Sequence, residues 1–145
     1  MSPVDIRIVR RKLAAVVSAI DRLRPVVGLT IEAWQGNRDL HDATERRLQL
    51  GLEAAIDINA HLIVGLGHPA PADAFSSFHE LASVAGVVSA ALASELAPSA
   101  GLRNRLVHRY DDLDDELVFR GVAMFVNRFP EYVQVIDAWL RGREG

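Results

Sequence analysis

The sequence predicts an all-α protein, an up-and-down bundle of four long helices and one short helix. Half of the 145 residues are apolar while only 6% are aromatic, and the abundant Ala and Leu favour packed helices over sheets. Apolar residues recur at spacings of three and four along most of the chain, and no alternating strand pattern is found. The length suits a single domain, residues 1–145, that buries a core of its own.

The first half of the chain contains two of the long helices. The first is predicted to end at Pro25 and has an apolar stripe of Ile6, Val9, Leu13, Val16, Val17, Ile20 and Leu23. A connector, "GLTIEAWQGN", follows, with Gly28 and Gly36 as breakers and Trp34 packed onto the core. The second helix runs from about Arg38 to Gly65, and its stripe is Leu48, Leu52, Ala55, Ile56, Leu62 and Ile63.

The second half contains the short helix and the other two long helices. Asp73 is the expected N-cap of a short helix that reaches Ala85. A fourth helical stretch is predicted from Val87 to about Tyr110, bent or restarted at Pro98. The final helix is expected from about Asp114 to Leu140, with a kink at Pro130.

Composition excludes several classes of function. The absence of cysteine excludes disulfides, thiolate zinc sites and cysteine nucleophiles. A net charge of −3 provides no overall positive field for nucleic acid, so any RNA contact must depend on a local patch. The apolar runs are too short or too polar for a membrane span, and the basic N-terminus is a poor match to a secretory signal. We therefore expect a cytoplasmic protein without a membrane segment.

The stretch "RNRLVHRYDD", residues 103–112, concentrates polar chemistry on one predicted helix. At ~100° per residue, Arg103 and Tyr110 share one side of the helix with two apolar residues. Asn104 and His108 lie on the neighbouring flank, and Arg105 and Arg109 point to the far side. The interpretation is a polar cluster beside the core, made of Arg103, Asn104, His108 and Tyr110.

This cluster suits phosphodiester transfer. Histidine titrates near neutral pH and can act as base or acid, and arginine gives a permanent charge to a phosphate that gains charge in the transition state. Cleavage of RNA through its own 2′-hydroxyl needs one base and one acid, whereas the motif has the single histidine His108. A two-fold homodimer that apposes two motifs would supply the second proton-transfer group.

The motif "RNRLVHRY" resembles the R-x4-H-x-Y signature of the HEPN superfamily, in its HepT-like toxin branch. The segments "ATERRLQLGLEAAIDINAHLI" and "AFSSFHELASVAGVVSAALASELAPSAGLRNRLVHRYDDLD" are similar to helices of that branch. The resemblance implies a five-helix dimer with metal-independent endoribonuclease activity, inhibited by a minimal nucleotidyltransferase antitoxin. It implies catalytic roles for Arg103 and His108, a supporting polar place for Asn104, and Tyr110 as an acceptor of AMP. No cofactor is expected.

Other polar residues compete for a function. One face of the second helix carries Glu53, Asp57 and His61, which could bind a divalent metal or form a polar stripe paired to arginines. No metal is expected. Asp57 is also a candidate to orient Arg103. The run "DDLDDE", residues 111–116, is explained by helix capping through Asp112 or Asp114 and by the helix dipole. The remaining histidines, on predicted surface or loop positions, receive no role: His41, His68 and His79.

Two alternatives to a nuclease remain open on sequence. The first is a non-catalytic HEPN dimer that binds a nucleotidyltransferase or accepts AMP from it, because such a protein would use the same cluster. The second is an α-helical dimerisation module without a site. An RNA cleavage assay separates the nuclease from the acceptor.

Overall fold

The computed structural model describes residues 3–108 and 114–144, and every regular element in these ranges is an α-helix. Three helices are long and four are short. In chain order they are α1 (Ile6–Val27), α2 (Ile31–Gly36), α3 (Arg38–Gly65), α4 (Ala74–Ser83), α5 (Ala90–Leu96), α6 (Ser99–His108) and α7 (Asp115–Glu144). The all-α prediction is confirmed.

Short polar side chains fix where the helices begin. Asp73 accepts a hydrogen bond from the Ser76 amide at 2.7 Å, so the predicted cap of the short helix is confirmed. Asp114 accepts from the Glu116 amide at 3.0 Å at the start of α7. The other side-chain caps belong to α1, α2, α3 and α5, and are Asp5, Thr30, Asn37 and Ser89.

The number of helices differs from the prediction at two places. The connector after α1 contains a helix, α2, because Thr30 caps it and Trp34 anchors it in the core. The predicted fourth helical stretch is two helices, α5 and α6, with a turn at Ala97 and Pro98, so the expected interruption at Pro98 is confirmed. Pro98 has no N–H to continue the α-helical ladder, so the chain restarts at Ser99. α1 runs past Pro25 to Val27, and α7 passes through Pro130 to Glu144.

The long helices form the frame on which α6 is placed. α1 and α3 are antiparallel, since the Asp5 amide reaches His61 while Lys12 reaches Asp57. α3 and α7 run side by side in the same direction, because His41 contacts Asp115 near their starts and the Tyr132 hydroxyl reaches Ala55 further along. The helix α6 packs against both α3 and α7.

The core is apolar, with a few satisfied polar groups. All residues of the predicted α3 stripe are buried, as is Trp34, whose indole N–H donates to the Thr44 hydroxyl at 3.1 Å. The Tyr132 hydroxyl donates to Asn59 Oδ1 at 2.6 Å, and burial raises the pKa of Tyr132 well above its usual value. Among the described residues, no helix has the length and apolar character to cross a membrane.

Candidate functional site

The helix α6 carries the motif and is held in place by its apolar residues. Leu102 and Leu106, four positions apart, are buried against the bundle. Leu102 approaches α7 at Gly121 so closely that a Cβ on this glycine would lie 2.4 Å from Leu102 Cδ2. Only a residue without a side chain fits there with Leu102 in its present position. This contact fixes the depth of α6 beside Arg103.

Arg103 combines a permanent charge with an unmet hydrogen-bond donor. Its Nε is buried and has no hydrogen-bond partner among the residues that the structure describes, although the side chain as a whole is only half-buried. A buried donor without a partner costs about 1–3 kcal/mol, so native proteins rarely keep one without a reason. A phosphate oxygen would satisfy this donor and the charge together.

His108 is the last residue of α6, and its side chain is exposed. It follows Arg103 by five residues, which places the two side chains ~140° apart around the helix and about 7.5 Å apart along it. The exposed imidazole can meet a substrate that approaches from solvent.

Of the remaining motif residues, the structure describes Asn104 and Arg105. Asn104 follows Arg103 in the middle of α6, and its side chain is exposed. Arg105 is exposed as well, in agreement with the prediction that it faces away from the site. Tyr110 lies outside the described residues, and so does Arg109.

The structure gives no support to the predicted role of Asp57 in orienting Arg103. Its carboxylate is exposed and binds Lys12 Nζ of α1 at 2.9 Å, and it makes no ion pair with Arg103. The reason is the tertiary arrangement: this face of α3 lies beside α1, while α6 packs elsewhere on α3.

The three residues considered as metal ligands on this face of α3, Glu53, Asp57 and His61, each bind a different partner in the protein. Glu53 accepts from the Gln49 side chain at 3.1 Å. His61 Nε2 accepts from the Asp5 amide at 3.0 Å, so this nitrogen carries no proton. With Asp57 bound to Lys12, the three side chains do not converge on one point.

The prediction that His41 lies on the surface is wrong. Its side chain is 5% exposed, and its ring lies 4.5 Å from the ring of Trp34. Nε2 contacts Asp115 Oδ1 at 2.7 Å, and Nδ1 contacts Asp42 Oδ1 at 3.1 Å. The sequence held a signal for this burial, since position 41 continues the buried stripe through Thr44, Leu48 and Leu52 at helical spacing.

Hydrogen bonds with carboxylates favour the charged form of His41. Burial alone would lower the pKa of His41, but hydrogen bonds with Asp115 and Asp42 outweigh it, and the pKa is raised. The side chains of His41, Asp42 and Glu45 are close enough to hold a metal ion. Both ring nitrogens already have carboxylate partners within the protein, since Nε2 contacts Asp115 and Nδ1 contacts Asp42.

The fold is all-α, and the motif residues Arg103 and His108 lie on one short helix, α6. A family model described as "Ribonuclease HepT-like" matches residues 16–136. The chain is 34% identical over 140 residues to the "tRNA nuclease HepT" of Aphanizomenon flos-aquae. The alignment covers 97% of this chain and 95% of that protein. It is 30% identical over 133 residues to the "mRNA nuclease HepT" of Shewanella oneidensis, with coverage of 90% and 97%.

A solved structure has the same fold. It is a tri-AMPylated Shewanella oneidensis HEPN toxin in complex with MNT antitoxin, 29% identical, with a TM-score of 0.74 over 90% of this chain and 97% of that one. These matches confirm the resemblance read from the motif. The chain belongs to the HepT-like ribonuclease family, and its activity is that of an endoribonuclease.

Proposed function

We propose that Arg103 and His108 carry the ribonuclease activity, without a metal ion. The buried, unmet Nε of Arg103 supports this proposal most strongly, because it is a charged donor that a phosphate would satisfy. His108 is exposed at the end of the same helix. Arginine supplies the charge stabilisation that a metal would otherwise give to the transition state.

The reaction needs two proton transfers. A base removes the proton of the ribose 2′-hydroxyl, whose oxygen attacks the adjacent phosphorus. The bond from phosphorus to the 5′-oxygen breaks, an acid protonates that oxygen, and a 2′,3′-cyclic phosphate remains. Arg103 would hold the non-bridging oxygens as their negative charge grows.

A homodimer completes the site. One chain offers one motif histidine, so we propose that two chains pair about a two-fold axis with both His108 side chains in one groove. In such a groove one histidine acts as base and the other as acid.

We propose that the chain is the toxin of a toxin–antitoxin pair in the cytoplasm. The similar HEPN toxin was solved with an MNT antitoxin and carries AMP groups, and this chain has the motif tyrosine, Tyr110. A minimal nucleotidyltransferase would silence the nuclease by transferring AMP from ATP to the hydroxyl of Tyr110, with release of pyrophosphate. The attached phosphate and base would then occupy the groove and repel RNA.

The test is cleavage of bulk tRNA and of a transcribed mRNA by the purified protein in EDTA. We expect cleavage to continue without divalent metal and to leave 2′,3′-cyclic or 3′-phosphate ends. Arg103→Ala should abolish cleavage, whereas Arg105→Ala, on the same helix and exposed, should keep it. A strict need for magnesium would contradict the mechanism, and a folded dimer that cleaves neither RNA would favour the non-catalytic AMP acceptor.

A further inference from the structure

Three helices meet at the contact between the buried His41 and the half-buried Asp115. Trp34 of α2 covers one face of the imidazole, and Asp115 of α7 accepts from its Nε2. Gln35 of α2 donates to the second carboxylate oxygen of Asp115 at 3.0 Å. The first turn of α7 is thereby bound to both α2 and α3.

The charged groups around His41 favour its protonated form. Asp115 faces it from α7, and Asp42 and Glu45 face it from α3, with Glu45 Oε2 at 4.0 Å from Nε2. Burial alone would raise the pKa of Asp115, but hydrogen bonds with His41 and Gln35, and the charge of Arg38, lower it. Nε2 of the buried His41 contacts Oδ1 of the half-buried Asp115 at 2.7 Å.

This pair lies at the start of α7, the helix whose surface also receives α6. Asp115 begins α7, and Gly121 follows it after about 9 Å of helix. Gly121 receives Leu102, the neighbour of Arg103, and tolerates no side chain there without movement. A shift of the start of α7 relative to α3 would change both surfaces against which α6 packs.

We propose that His41 and Asp115 are positioning residues of the nuclease: their ion pair locks the start of α7 to α3 and so sets where α6 presents Arg103 and His108. This inference depends on the proposed function of those two residues. Neither His41 nor Asp115 touches the RNA; they act through the packing of Leu102 on Gly121.

The pair predicts a pH dependence with a defined sign. Because the pKa of His41 is raised, the interaction is fully present below the ordinary histidine pKa and is lost as pH rises through the raised value. Because the pKa of Asp115 is lowered, its contribution is present above its ordinary value and is lost only in acid. Cleavage should therefore fall on the alkaline side as His41 loses its proton.

The first test replaces Asp115 by Asn, which keeps the shape and an acceptor but removes the charge. With bulk tRNA as substrate, Asp115→Asn should lower kcat about 10- to 100-fold, leave KM within about twofold, and move the alkaline limb to lower pH. Asp115→Glu should restore part of kcat. The matched control is Asp137→Asn, because Asp137 lies further along α7 and pairs with Arg10 of α1 and Arg141 of α7. This variant should keep the wild-type kcat and pH profile.

A second measurement does not depend on the variants or on activity. In the wild-type protein, NMR would follow the His41 ring, the Leu102 methyl groups and the Arg103 Nε–H through a pH titration. We expect the signals of Leu102 and Arg103 to shift with the His41 titration. If they stay unchanged as His41 titrates, or if Asp115→Asn behaves as Asp137→Asn does, the positioning role is wrong. Failure of the wild type to cleave RNA would instead contradict the proposed function.

Discussion

The polar stripe of α3 and the motif of α6 differ in whether their polar groups have partners within the protein. On α3, Glu53, Asp57 and His61 each have a protein partner. On α6, Arg103 keeps a buried donor without a partner among the described residues. The α3 stripe is satisfied by the fold itself and needs no ligand. An unmet charged donor on a firmly packed helix distinguishes a binding site from a polar surface.

The largest effects should come from Arg103→Ala, described above, and from His108→Ala. General acid–base catalysis contributes about 10²–10⁴-fold, so RNA cleavage should fall by at least about 10²-fold. The side chain is exposed, so thermal unfolding should be unchanged. Cleavage rates at saturating enzyme, together with melting temperatures, check both statements.

Mixed dimers sharpen this prediction. If one groove uses both His108 side chains, a dimer of one wild-type and one His108→Ala chain should be almost as impaired as the double variant. Retention of half the activity would show that each motif works alone and would contradict the shared groove.

Tyr110→Phe should separate catalysis from its control. The reference pKa of tyrosine, near ~10, does not suit proton transfer at neutral pH, so most of the cleavage should remain without the hydroxyl. The variant should escape silencing by a nucleotidyltransferase partner with ATP, and intact mass should lose the Tyr110 adenylate. Equal modification and silencing of variant and wild type would contradict the role of Tyr110.

Gly121→Ala tests how firmly α6 is seated. The new methyl group would meet Leu102, and overpacking of this kind costs typically about 1–3 kcal/mol, with a fall in cleavage as Arg103 moves. Gly101→Ala is the control within α6, because nothing lies within 4 Å of a Cβ there; it should be neutral or stabilise by up to about 1 kcal/mol. Denaturant unfolding and cleavage rates measure both. Equal behaviour of the two variants would disprove the close contact.

The smallest effect is expected on the α3 stripe. Asp57→Asn removes an exposed pair with Lys12, and such pairs contribute at most about 1 kcal/mol. Cleavage should remain at the wild-type rate. A loss of activity comparable with that of Arg103→Ala would restore the supporting role first expected for Asp57.

The sequence by itself determined the local features of this protein. The bounds of α3, the cap at Asp73, the buried stripe and the buried Trp34 all follow from residue spacing and side-chain chemistry within a few positions. The motif was also readable, because Arg103 and His108 lie on one short helix. Helix signals act over one or two turns, so the neighbouring residues carry them.

The tertiary structure alone decided which polar groups are satisfied. His41 and Asp115 are 74 positions apart, and Asp57 and Lys12 are 45 apart, so no local pattern could pair them. The same holds for Leu102 and Gly121 across α6 and α7. Whether a charge is buried, paired or left open depends on how distant helices pack, because desolvation and hydrogen bonding are set by neighbours in space.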